Sequence, residues 1–181
     1  SLVARIIASL LAISGMALIS ITLTIAMSNS SRGDAAAINV AGSLRMNAYQ
    51  IMGALQRLEY APEETSEEQL ASLVASFDQR LNGTTLQQTI PTDDRHERRR
   101  QLEKLQTYWQ HTLRPALEIP SSATALDLDT LEMMIVAMVN DIEVLVTYLE
   151  QSTEAKVRLL GMIQVLFLVL IVVVVAIALY D

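Results

Sequence analysis

LDTLEMMIVAMVNDIEVLVTYL, residues Leu128 to Leu149, is the stretch that decides the fold. Leu128, Leu131, Ile135, Met138, Ile142, Leu145 and Leu149 recur in steps of three and four. That a/d heptad stripe suits a helix packed into a bundle. The helix is expected to begin near Asp127, and nothing stops it before VLFLVLIVVVVAIAL, Val165 to Leu179, an unbroken apolar run. One helix is thus expected to carry both a bundle face and a membrane span.

The uncharged stretch around that run, Leu159 to Tyr180, has a counterpart near the start of the chain, Ile6 to Met27. Each holds about 22 residues, which as helix covers about 33 Å, enough to cross a hydrocarbon core. The earlier stretch is softer, with several Ser and Thr, but it is too long for a signal-peptide core and no A-x-A site follows it, so it reads as a retained anchor. Two spans put both termini on one side. Arg5 favours a cytoplasmic N-terminus; Lys156 and Arg158 oppose this mildly, but a long translocated segment weakens the charge rule. The expected organisation is a transmembrane helix in 1–27, an outer helical sensor domain in 28–158 and a second transmembrane helix in 159–181. The chain starts at Ser1 rather than Met and stops at Asp181 just past a span, so a cytoplasmic output part is expected beyond it.

With 181 residues, a net charge of −7 and no cysteine, the chain allows one ordinary domain and uses no disulfide. No nucleic-acid partner is expected. The outer segment reads as helix throughout, because glycine is scarce and its β-branched residues do not alternate with polar ones. The first helix should run from the membrane through Asn29 to Glu59 and end at Ala61-Pro62-Glu63. Thr65 with Glu68, or Ser66 with Gln69, would cap a second helix ending near Asn82-Gly83. Thr84 to Pro91 reads as polar loop. Thr92, Asp93 and Asp94 open a third helix through LEKLQTYWQHTL, which Pro115 should kink or end, and Pro120 to Ala125 is a linker. The fold class is all-α: an antiparallel up-down four-helix bundle whose first and last helices continue as transmembrane helices.

One charge stands out. Arg45 lies in AGSLRM, Ala41 to Met46, within a run from Ala35 to Leu58 whose only other charge is Arg57. Positions three and four residues away are Ala41, Gly42, Ala48 and Tyr49, so the helix offers Arg45 no acid of its own. The stripe Ala37, Val40, Leu44, Ile51, Leu55 and Leu58 should face the bundle core. Arg45 would share a separate line with Ile38, Ala41, Gly42, Ala48 and Met52, rich in the small residues that let helix backbones approach. In a two-fold homodimer that line would meet itself, and two Arg45 side chains would converge on a shared anion. Against this stands a plainer reading, in which Arg45 reaches solvent or pairs with an acid on another helix.

DAAAINVAGSLRMNAYQ, Asp34 to Gln50, closely resembles the periplasmic ligand box of the nitrate/nitrite sensor histidine kinases of the NarX/NarQ type, nearer to NarX. LEKLQTYWQHTLRPAL, Leu102 to Leu117, is similar to that family's third helix. The resemblance implies a homodimer in the bacterial inner membrane, its sensor domain in the periplasm, that binds nitrate and more weakly nitrite. It implies Arg45 as the ligand arginine and Gly42 as the glycine whose backbone lies beside the ligand, with Ile38, Ala41, Ser43, Met46 and Tyr49 as supporting residues. Where the family commonly carries a second arginine this chain has Gln50, which bears on the nitrate-to-nitrite preference. The resemblance also implies a HAMP linker and an ATP- and Mg-dependent histidine kinase core after Asp181, acting on a response regulator. Neither is in this chain, which itself carries no catalytic residues, no metal site and no cofactor.

His96-Glu97-Arg98-Arg99 reads as a solvated helix face, and a zinc motif would need a second histidine where Arg100 stands. His111, Tyr108 and Trp109 read as structural. The same outer-domain type also resembles the sensor part of some methyl-accepting chemotaxis receptors. A further alternative is a non-sensing membrane adaptor in which Arg45 pairs with a partner protein's acid.

Overall fold

The computed structural model describes residues 2–60, 64–90, 97–118 and 127–180. The elements in order are α1 (Leu2–Tyr60), α2 (Glu64–Leu81), α3 (Thr84–Thr89), α4 (Glu97–Tyr108), a π-helical turn (Trp109–Leu113), α5 (Arg114–Glu118) and α6 (Leu128–Tyr180). No strand occurs among the described residues. The chain divides into two compact units, one formed by Ser1–Arg32 with Gln151–Asp181, the other by Gly33–Glu150.

In the first unit, α1 and α6 each supply a stretch long and apolar enough to cross a membrane, and those stretches are not buried within the chain. A soluble core helix of that composition would be covered. The hydroxyls of Thr22 and Thr24 donate to the carbonyls of Leu18 and Ser20 at 2.9 and 2.8 Å, one turn back. That local bond is how a helix satisfies a polar side chain without water. Gln164 Nε2 donates to Thr24 Oγ1 at 3.5 Å, and Lys156 Nζ to Ser30 Oγ at 2.9 Å, so both pairs link α1 to α6.

The second unit is a helical bundle. Its four legs are the rest of α1, α2 with α3, α4 with its π turn and α5, and the first part of α6. Side-chain bonds close the ring. Asn47 on α1 donates to the Leu73 carbonyl on α2, Trp109 on the π turn to Asp78 on α2, Tyr108 on α4 to the Met134 carbonyl on α6, and Gln56 on α1 to Glu132 on α6. The α6 stripe behaves as its spacing demands: Leu131, Ile135, Met138, Ile142, Leu145 and Leu149 are all buried, and Leu128 is half-buried at the frayed start. The largest buried group is Trp109, whose ring lies against Phe77 with centroids 4.2 Å apart. Tilted aromatic pairs at that distance add about 0.5–1.5 kcal/mol beyond their area burial.

Three local expectations change. Thr84–Thr89 is a helix rather than a polar loop, because Leu86 and Ile90, four residues apart, both sink into the core and pull the backbone into a turn between them. The second helix begins at Glu64, ahead of Thr65 and Ser66, so neither occupies the N-cap. At Pro115 the regular helix is interrupted, as expected, rather than stopped. The preceding residues widen into the π turn, which moves the carbonyls away from the proline ring, and the helix resumes through Glu118. On α1, Ala41 and Ala48 are fully buried in this chain's own core, so they do not belong to an outward line with Arg45. The alanines at 37, 41, 48 and 54 make the inner face of α1 flat enough for close approach by its neighbours. The terminating Ala61-Pro62-Glu63, the opening Thr92-Asp93-Asp94 and the linker Pro120 to Ala125 lie outside the described residues.

Candidate functional site

The outward face of α1 begins where its core stripe ends. Leu44 is fully buried, and one residue on, about 100° around the helix, Arg45 projects outward. Its Nη1 donates to Glu143 Oε2 at 2.6 Å, across to α6. Both side chains are about half-exposed, 46% for Arg45 and 55% for Glu143. Among the described residues Glu143 is Arg45's one hydrogen-bonding partner. The sequence reading had left open a pairing with an acid on another helix, and that is the arrangement found.

A second tie lies toward the C-terminal end of α1, where Gln56 Nε2 donates to Glu132 Oε1 at 2.6 Å. Arg45 and Gln56 are separated by the same sequence interval as Glu132 and Glu143, so α1 and α6 run antiparallel in constant register between the two ties. The α6 residues Asp129, Glu132, Met133 and Val136 line a shallow surface groove near that end.

The other sequence-picked residues divide by face. Gly42 is half-buried, and a Cβ built there meets nothing within 4 Å, so the backbone beside Arg45 is open to an incoming group. Ser43 spends its hydroxyl on its own helix, donating to the Val40 carbonyl at 2.7 Å. Ile38 and Met52 are half-buried against the core, and Ala41 is inside it. Met46 and Tyr49 are 62% and 48% exposed, and Gln50 is exposed beside them. The structure therefore keeps Arg45, Gly42, Met46 and Tyr49 on or beside an open surface and removes Ala41 from it. A guanidinium so placed keeps donors available for a planar oxyanion, which its fork fits in a bidentate manner.

Glu143 is the residue that sequence reasoning missed. The signal lay in helix geometry: the first and last helices emerge from apolar stretches ending at Met27 and beginning at Leu159, and counting inward from each brings Arg45 and Glu143 to about the same level.

Elsewhere the polar clusters brace the bundle. Lys104 Nζ lies 2.6 Å from Asp141 Oδ1, and Gln101 donates to the same carboxylate. Arg99 bonds Glu103 and Gln87 and is only 19% exposed, so at this position the face expected to be solvated is packed. Arg114 is held further in its charged form by Glu118 foremost and by Asp78. His111 is exposed, and Tyr108 and Trp109 pack within the bundle.

An all-helical unit whose first and last helices continue into stretches long and apolar enough to cross a membrane defines the class: an all-α membrane protein with a helical bundle domain. Residues 26–131 match the family model of the type IV pili methyl-accepting chemotaxis transducer N-terminal domain, PilJ, and the chain belongs to that family. The match takes in Gly42 and Arg45 and ends before Glu143. It describes a chemotaxis transducer, which agrees with the chemoreceptor alternative better than with a sensor kinase. No curated protein matches the chain.

Proposed function

We propose that this chain is the sensor part of a bacterial chemotaxis receptor that binds a small planar oxyanion, nitrate and more weakly nitrite, at Arg45. Transmembrane helices in 1–27 and 159–181 hold it in the inner membrane, with 28–158 in the periplasm. Two copies meet along the outward face of α1, where Met46 and Tyr49 stand exposed. The anion lies between the two Arg45 guanidinium groups and against the backbone at Gly42. The observation that carries this reading is a half-exposed arginine beside a glycine with open space around it, in a helical run from Ala35 to Leu58 whose only other charge is Arg57.

The energetics are adequate. Each charge-assisted bond from a guanidinium contributes about 1.5–3 kcal/mol. Moving a receptor from mostly off to mostly on needs about 5.5 kcal/mol of differential affinity, which two bidentate contacts reach. Drawing the two first helices together would shift α1 against α6, and both continue into apolar stretches.

A second reading rests on the likeness of Asp34 to Gln50 to the NarX/NarQ ligand box: the same sensor coupled to a HAMP linker and histidine kinase, with a response regulator downstream. The two readings share the ligand site and differ only in the output part, so the sequence following Asp181 decides between them.

The test of the site is calorimetry with the full chain in lipid nanodiscs. Nitrate should bind the wild type and not Arg45→Ala, while chloride and sulfate bind neither. Equal nitrate heats in wild type and Arg45→Ala would overturn the assignment, and Arg45 would then serve only to tie α1 to α6.

A further inference from the structure

Resting on the anion site proposed above, we infer that Glu143 competes with the ligand for Arg45, so that anion binding and the α1–α6 tie exclude each other. Glu143 Oε2 accepts a single hydrogen bond from Arg45 Nη1 at 2.6 Å, a nitrogen that an oxyanion gripping the end of the guanidinium would also use. The carboxylate is an internal stand-in for the ligand: planar, negatively charged, with two equivalent oxygens. The other donors of the guanidinium stay open, but an oxyanion that grips the Nη1 edge bidentately competes with Glu143 for that nitrogen.

The pair is suited to being displaced. Both side chains are about half in water, and exposed ion pairs of this kind hold weakly. A ligand therefore loses little by replacing Glu143. What it gains is leverage on α6, because Arg45 to Glu143 is, like Gln56 to Glu132, a side-chain tie between α1 and α6. Glu143 is also anchored within its own turn, since Thr147 Oγ1 donates to its carbonyl at 2.9 Å, so the carboxylate rather than the backbone is the moving part. By linkage, whatever weakens the tie strengthens the anion, and the anion weakens the tie by the same factor.

The test is nitrate calorimetry on the full chain in nanodiscs with Glu143→Gln, Glu143→Asp and, as a control for bulk charge, Glu150→Gln, which alters an exposed acid on the same helix. Glu143→Gln removes the rival charge, and Glu143→Asp keeps the charge but withdraws it by one methylene. Both should tighten nitrate binding by about two- to fivefold, the range an exposed pair spans, and Glu150→Gln should not. Four outcomes overturn it. Binding that depends on Arg45 yet is unchanged in both Glu143 variants leaves the site standing and removes the competition. Equal tightening in Glu150→Gln, or tightening in Glu143→Gln alone, assigns the effect to general charge. Absence of Arg45-dependent binding in every variant removes the site and the competition together.

Discussion

Trp109 donates its indole hydrogen to Asp78 Oδ1 at 2.9 Å while its ring is wholly buried. That bond joins α2 to the π turn, and the same carboxylate oxygen accepts from Asn82 at 3.2 Å and from Arg114 at 3.2 Å. Asp78→Ala leaves a buried N–H without its acceptor and should cost about 1–3 kcal/mol. Trp109→Ala empties a large volume against Phe77 and should cost about 3–5 kcal/mol. Because the two share one contact, the double variant should fall short of their sum. Chemical denaturation followed by far-ultraviolet dichroism measures all three, and strict additivity would mean the bond contributes nothing.

Arg45 and Glu143 should behave in the opposite way. Each is about half-exposed, so Arg45→Ala and Glu143→Ala should each change stability by less than about 1 kcal/mol. Melting temperatures of the two variants should therefore lie close to that of the wild type. A large drop in either would show that the pair holds the bundle together and would disqualify Arg45→Ala as a clean probe of binding.

The stripe from Leu131 to Leu149 was readable because a helix buries one face and the three-and-four spacing marks that face without reference to any neighbour. The same logic placed Leu44, Ile51 and Leu55 inside. It failed at Ala41 and Ala48, where alanine fits equally well against the chain's own core and against a second copy, so composition could not choose between them. The short helix α3 was hidden because six residues of Thr, Leu and Gln carry too little periodicity. Only the tertiary burial of Leu86 and Ile90 sets its conformation. At the site, Arg45 announced itself as an unmatched charge along its own helix. Its partner Glu143 did not, because the two are joined by bundle register rather than by local spacing.

Gly42 separates folding from binding. In the single chain a Cβ at this position meets nothing within 4 Å. Gly42→Ala should therefore keep the bundle intact and stabilise it by up to about 1 kcal/mol, the helix-propensity difference between the two residues. If an anion lies against the backbone there, the added methyl should weaken nitrate binding, and Gly42→Val should abolish it. Thermal melting paired with calorimetry reads both. A variant with wild-type nitrate affinity and a raised melting temperature would move the ligand away from Gly42.

Tyr108 gives the bundle an alkaline limit. Its hydroxyl donates to the Met134 carbonyl at 3.3 Å, and its pKa is raised above 10.0, first by burial and then by the negative charge of Asp141. Folding thus favours the neutral phenol. Below pH 10.0 the phenol is protonated in folded and unfolded chains alike, and its contribution is present in full. As pH climbs past 10.0 the unfolded chain ionises first, so stability declines until the folded-state pKa is passed. Tyr108→Phe removes that proton from the balance. It should lower stability at neutral pH by about 0.5–1.5 kcal/mol through loss of the hydrogen bond and flatten the decline at alkaline pH. Denaturation curves on either side of pH 10.0, with tyrosinate absorbance followed in parallel, test this. The same alkaline slope in wild type and Tyr108→Phe would mean that other groups set the limit.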